Sequence, residues 1–173
     1  MRATDIINFA LVALAAMWVW SWASVVFLPL WRLLTSERYE PPYAIRDLVK
    51  RSTVRGVHFR LRDLPLHHFA YATTPLPGVR LIVVDRRVAE YASTVQLLFI
   101  VGHELGHLRM GHVEFGGLVS RVTRAMLYLN LDEWEAQKLT RERAADEYSR
   151  LMTGIPRDVM YGIQLPGQGG GST

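Results

Sequence analysis

The chain has 173 residues and 19.7 kDa, room for one ordinary domain and a short appendage, since domains usually run about 100–150 residues. No cysteine is present, which excludes a disulfide framework, thiolate zinc sites, iron–sulfur clusters and a cysteine nucleophile. Twenty basic against 16 acidic residues give a net charge of +4; the basic residues are scattered and not interleaved with aromatics, so no nucleic-acid partner is expected and an anionic membrane surface fits the charge better.

The apolar residues crowd the N-terminus. Residues 6–31 form a run of 26 without a charge, with Asn8, Ser21 and Ser24 its main polar positions. As a helix the run is about 39 Å long, against about 30 Å for a hydrocarbon core, and it exceeds the roughly 7–15 apolar residues of a signal peptide. The expectation is a tail at 1–5 and a single membrane-spanning helix at 6–31 that contacts the lipid bilayer. Only Arg2 precedes the span, whereas Arg32, Arg38, Arg46, Lys50, Arg51 and Arg55 follow it. That asymmetry places the remainder of the chain in the cytosol.

A linker at 32–42 ends in Glu40-Pro41-Pro42, stiffened by the fixed proline angle. Ala44, Ile45, Leu48 and Val49 then recur at helical spacing, predicting a helix over 43–52. Strand patterns follow at 56–61, 68–73 and 79–85, with Pro75, Pro77 and Gly78 supplying a turn before the last. Residues 86–90 break that strand. A long helix is expected over 93–110, nearly all apolar in its first half and stopped by Gly111. A loop at 114–117, a helix at 118–129 and a helix at 132–153 complete the pattern, the last capped by Asn130 or Asp132 and closed by Gly154 and Pro156. The pattern describes an α+β domain over 43–163, with a small sheet packed on the long helix, and a flexible Gly-rich tail at 164–173.

Within the long helix, residues 103–107 read H-E-L-G-H. Residues four apart share a helix face, so His103 and His107 can both reach one metal ion about 2.1 Å from each imidazole, a geometry that suits zinc. Glu104 is rotated about 100° from His103, which lets its carboxylate approach an attacking water as general base without taking a ligand position. A chance match somewhere in a chain with 6 histidines is on the order of 1 in 100, so the motif gains weight from its helical, half-buried context.

A catalytic zinc takes three protein ligands and keeps one position open. His112 is near, but a continuing helix would carry it about 140° around from His107, and the longer H-E-x-x-H-x-x-G-x-x-H pattern would need histidine where Val113 stands. Glu142 is the other candidate. It lies between two arginines yet beside Ala144 and Ala145, whose small side chains permit close helix packing, and Asp146 one turn on can accept the free N–H of a ligating histidine. His112 is expected to cap or flank the helix end, though spacing alone leaves both residues open as ligands. Tyr128, Tyr148 and Arg143 are candidates to stabilise an oxyanion.

With a strand at 79–85, then H-E-L-G-H-L-x-x-G-H, then E-R-A-A-D at 142–146, the chain resembles the ImmA/IrrE family of zinc metallopeptidases over roughly 42–160. The resemblance implies a zincin-like fold, Zn2+ as cofactor, Glu142 as third metal ligand, and a protein or peptide substrate, often a regulator. HtpX-like membrane peptidases share both motifs and offer a quality-control alternative; a non-catalytic, membrane-tethered binding module is a third. An extended substrate is expected to join the sheet at the strand over 79–85, by backbone hydrogen bonds.

Overall fold

The computed structural model describes residues 3–65, 68–76, 78–113 and 131–162. In chain order the elements are α1 (Ala3–Thr35), β1 (Glu37–Arg38), α2 (Tyr43–Arg51), β2 (Val57–Arg62), β3 (Ala70–Leu76), β4 (Val79–Asp85), α3 (Arg86–Tyr91), α4 (Thr94–Arg109) and α5 (Leu131–Thr153), followed by a 3-10 turn over Arg157–Gly162. The architecture is mixed α+β. The helix expected over 118–129, the Asn130 cap and the tail at 164–173 lie outside the described residues.

The four strands form one sheet in the order β1-β2-β4-β3. β2 and β4 run parallel, from Val57 opposite Arg80 to Arg62 opposite Asp85, while β1 and β3 run antiparallel to their neighbours. This corrects the expected docking strand: β4 is interior, and β3 is the edge. Burial on both faces explains the unbroken Leu81-Ile82-Val83-Val84 run, since a strand covered on both sides has no polar alternation. Pro75, expected in the turn, lies within β3 at a register irregularity between Thr73 and Leu76. A proline lacks the N–H for a ladder and is tolerated at such an irregular edge. Gly78, at φ +81°, makes the reversal into β4.

α2 and α4 pack on one face of this sheet. Ile45 and Leu48 from α2, Phe59 from β2, Ile82 and Val84 from β4, Val88 from α3, and Leu97, Ile100, Val101 and Leu105 from α4 form one buried cluster. The long helix starts where its sequence signals, with Ser93 and Gln96 exchanging side-chain and backbone hydrogen bonds in a capping box. It stops at Gly111, whose φ of +68° only glycine adopts without penalty.

Residues 3–35 form one helix, so much of the expected tail and the start of the linker are drawn into it. Among the described residues, no helix is long and apolar enough to cross a membrane, and the span expected at 6–31 is not shown. α1 does expose large apolar side chains, Phe9 at 75%, Trp20 at 76% and Phe27 at 71% among them, and it contacts β3.

The break expected at 86–90 is instead the short helix α3, capped by Asp85, whose side chain accepts the Arg87 N–H. Asp85 is wholly buried and also accepts from Leu64 N–H at 2.8 Å and from the Arg87 guanidinium, which in turn reaches Leu64 O. Desolvation alone would raise its pKa, but these hydrogen bonds and the Arg87 charge outweigh it and hold the carboxyl below its ordinary value. Its ionised form is therefore favoured by folding, a contribution complete above about pH 4 and lost as pH falls through the lower folded-state value. An Asp85→Asn chain, which sets amide hydrogens against Leu64 N–H, is expected to lose about 2 kcal/mol at neutral pH, with the gap to the parent closing in acid; thermal unfolding of both chains across pH measures it.

Candidate metal centre

The site is built where α4 and α5 touch. α4 has no side chain at Gly102 or Gly106, and α5 sets Ser149 and Ala145 against them. A Cβ built on Gly102 would stand 2.5 Å from Ser149 Oγ, and one on Gly106 would stand 3.0 Å from Ala145 Cα and 3.2 Å from its carbonyl oxygen. The backbones are therefore as close as two helices of this composition permit. Ser149 Oγ donates to Phe99 O at 2.8 Å and is buried there, which satisfies a polar group on the seam and fixes the register of one helix on the other.

That register sets Glu142 over the two histidines. His103 Nε2 and His107 Nε2 are 3.0 Å apart, and Glu142 places one carboxylate oxygen 3.3 Å from the first and the other 3.7 Å from the second. One ligand atom from each lies within 4.8 Å of the other two. Two atoms each about 2.1 Å from a tetrahedral ion are roughly 3.4 Å apart, so the spacing, and a donor set of two imidazoles and a carboxylate, fits a three-coordinate protein site with an open fourth position. The structure thus brings together the three residues singled out as ligands. Hydrogen bonds to His103, the largest influence, and to His107, with the charges of both imidazoles, outweigh desolvation and hold Glu142 well below the usual carboxylate range.

The ring nitrogens turned away from this centre are also partnered. His103 Nδ1 is 2.8 Å from Asp146 Oδ1, the expected contact, and the other Asp146 oxygen is 3.0 Å from the Arg157 guanidinium. Desolvation opposes protonation of His103, but hydrogen bonds to Glu142 and Asp146 and the charge of Glu104 together raise its pKa. His107 Nδ1 lies 3.1 Å from His112 Nδ1. A continuing helix would turn His112 away; α4 instead ends at Arg109 with Met110 as its C-cap, and Gly111 turns the chain back so that His112, flanking the helix end as expected, donates its N–H to His107 O at 3.0 Å. His112 is still outside the metal cluster, because it sits behind His107.

Glu104 is buried between α4 and the edge strand and accepts the Ala72 backbone N–H; burial pushes its carboxyl up, and the two imidazoles and Ala72 pull it back in part. β3 also fixes the helix end, through Thr74 Oγ1 donating to Val113 O at 2.6 Å. Among the residues considered for an oxyanion, Arg143 is exposed, Tyr148 is half-buried against the α4–α5 seam, and Tyr128 lies outside the described residues.

Residues 49–164 match the model of peptidase family M48. The chain belongs to that family. No curated protein and no solved structure is detectably similar to it. M48 membership with a His103/His107/Glu142 cluster makes the domain a metallopeptidase by family; the narrower ImmA/IrrE resemblance is not shown. The reason is chemical: H-E-L-G-H and E-x-x-A-D encode the metal site itself, which is common to more than one peptidase family.

Sequence reading missed the Gly102/Gly106 and Ala145/Ser149 pairing, the Ala72 contact to Glu104, and Arg157. The first was available as two small-residue pairs at matching i, i+4 spacing. A Gly106→Ala chain tests the seam. The helix-propensity gain of about 1 kcal/mol competes with an overpacking cost of about 1–3 kcal/mol, and because the obstructing atoms are backbone the cost prevails. Thermal unfolding is expected to drop, and bound metal with it, as α5 is pushed off and carries Glu142 away.

Proposed function

We propose that the protein is a membrane-anchored, zinc-dependent endopeptidase, with His103, His107 and Glu142 as metal ligands and Glu104 as general base. The observation that carries this reading is the convergence of His103, His107 and Glu142, from two separated helices, in a chain of family M48. Bound zinc would lower the pKa of a water ligand toward about 7 and polarise the scissile carbonyl. Glu104, next to His103 in the chain, accepts the attacking water's proton and delivers it to the departing amine. Asp146 accepts the Nδ1–H of His103 and keeps its Nε2 directed at the metal.

The substrate is a peptide segment in extended form. Phe69 O accepts Asp85 N–H, so by antiparallel alternation Ala70 and Ala72 turn their backbone groups to the outer side of β3; Ala72 N–H is taken by Glu104, and the groups an added strand would use are Ala70 N–H and C=O and Ala72 C=O. Among the described residues no strand pairs there, and an added strand would lie alongside Glu104. The 26 uncharged residues at 6–31, their continuous helix and its exposed Trp and Phe side chains support anchorage in a bilayer. The basic residues that follow support a cytosolic catalytic domain. A regulatory protein and a damaged membrane protein are both served by such a site; cleavage of one bond in one protein favours the first, many cleavages the second.

Two outcomes test the proposal. Glu104→Gln should keep the metal, measured by elemental analysis of the full chain, while peptide hydrolysis falls about a hundred- to ten-thousand-fold; full biological activity in that variant would make the domain a binding module. The full chain should sediment with membranes and resist alkaline extraction, and a chain without residues 1–35 should not.

A further inference from the structure

We propose that His112 is a positioning residue for the metal centre: its imidazole accepts the Nδ1–H of His107 and so fixes the tautomer and ring orientation that aim His107 Nε2 at the metal. The inference rests on the reading of His107 as a ligand. Of the two nitrogens of His107, Nε2 is the one that faces His103 and Glu142. A neutral imidazole carries a single proton, so a lone pair on Nε2 requires the proton on Nδ1. That N–H points into the protein, where the His107 side chain is 12% exposed, and a buried donor without an acceptor is costly. His112 Nδ1, at 3.1 Å, is its hydrogen-bond partner.

The placement of His112 does not depend on that bond. Gly111 at φ +68° reverses the chain, and His112 N–H bonds back to His107 O. One residue further on, the Val113 carbonyl is held by the Thr74 hydroxyl of β3. The ring is thus delivered to within 5.3 Å of the His107 ring, centroid to centroid, by backbone anchors on both sides. An acceptor fixed before the metal arrives restricts His107 to the binding tautomer at no further ordering cost. Asp146 does the same for His103, so each ligating histidine has its own partner behind it, one a carboxylate and one an imidazole.

The test uses the full chain, Zn2+ as the probe, and competition with a chromophoric chelator to read affinity. His112→Ala should weaken zinc binding about 10- to 100-fold, the range for loss of such a partner, and His112→Asn, which retains an acceptor oxygen, should recover part of it. In the metal-free parent, 15N–1H couplings of labelled histidine should show the His107 proton on Nδ1, and in His112→Ala a mixture of tautomers. Zinc affinity within twofold of the parent in His112→Ala, alongside a marked loss in Glu142→Ala, overturns the role of His112 and leaves the metal centre standing. A metal-free parent with the His107 proton on Nε2 overturns it without recourse to any variant. Unchanged affinity in Glu142→Ala overturns the metal centre, and this inference with it.

Discussion

The metal centre depends on how closely α4 and α5 approach. Two candidate ligands on one helix, four residues apart, are brought together by helix geometry alone; the third joins them only if a second helix packs at the right distance and register. Gly102 and Gly106 remove the side chains that would hold α5 away, and Ala145 and Ser149 fill the space with little to spare. Across that close contact the hydroxyl of Ser149 reaches the Phe99 carbonyl. A larger residue on either side would leave the H-E-x-x-H motif intact in sequence and incomplete in space.

The edge strand β3 gives the site its second wall. Its Ala72 N–H meets Glu104, its Thr74 hydroxyl meets the carbonyl after His112, and its ladder with β4 ties both to the core. The contact to Glu104, the contact to the turn behind His107 and an outer backbone edge that no described strand pairs with thus come from a few consecutive residues of β3. The irregularity at Thr73 and Leu76, with Pro75 between them, ends regular pairing at the point where the strand must reach toward the end of α4. α1 also contacts this strand, so the apolar N-terminal helix is joined to the same wall of the site.

Much of this was legible because it is local. The period of Ile45 and Leu48, the Ser93 start, the Gly111 stop and the H-E-L-G-H face follow from spacing and backbone preference, and the structure places them close to where they were expected. What could not be read is set by tertiary partners. β1 is two residues long and exists only because β2 offers a ladder. β4 looked available to substrate because its sequence does not show that β3, from the preceding segment, would cover its side. His112 was expected to flank the helix end, and it does; what spacing does not show is that the αL turn at Gly111 brings its ring edge-on behind His107, where a continuing helix would carry it to the far face. The family, too, could not be separated on motifs that describe only the metal site.

Packing and metal binding are therefore two expressions of one contact. His103 and His107 are fixed on α4, Glu142 and Asp146 on α5, and the chain between them is long, so an unfolded chain presents no such set of donors. An ion bound by both helices stabilises only the packed arrangement, and the packed arrangement, held by the Gly–Ala and Gly–Ser seam and the Ser149 hydrogen bond, already presents the donors at the spacing the ion needs. Each removes an entropic cost from the other. A site assembled this way can tolerate a half-exposed Glu142, because its position is set by the helix beneath it and does not require burial of the carboxylate itself.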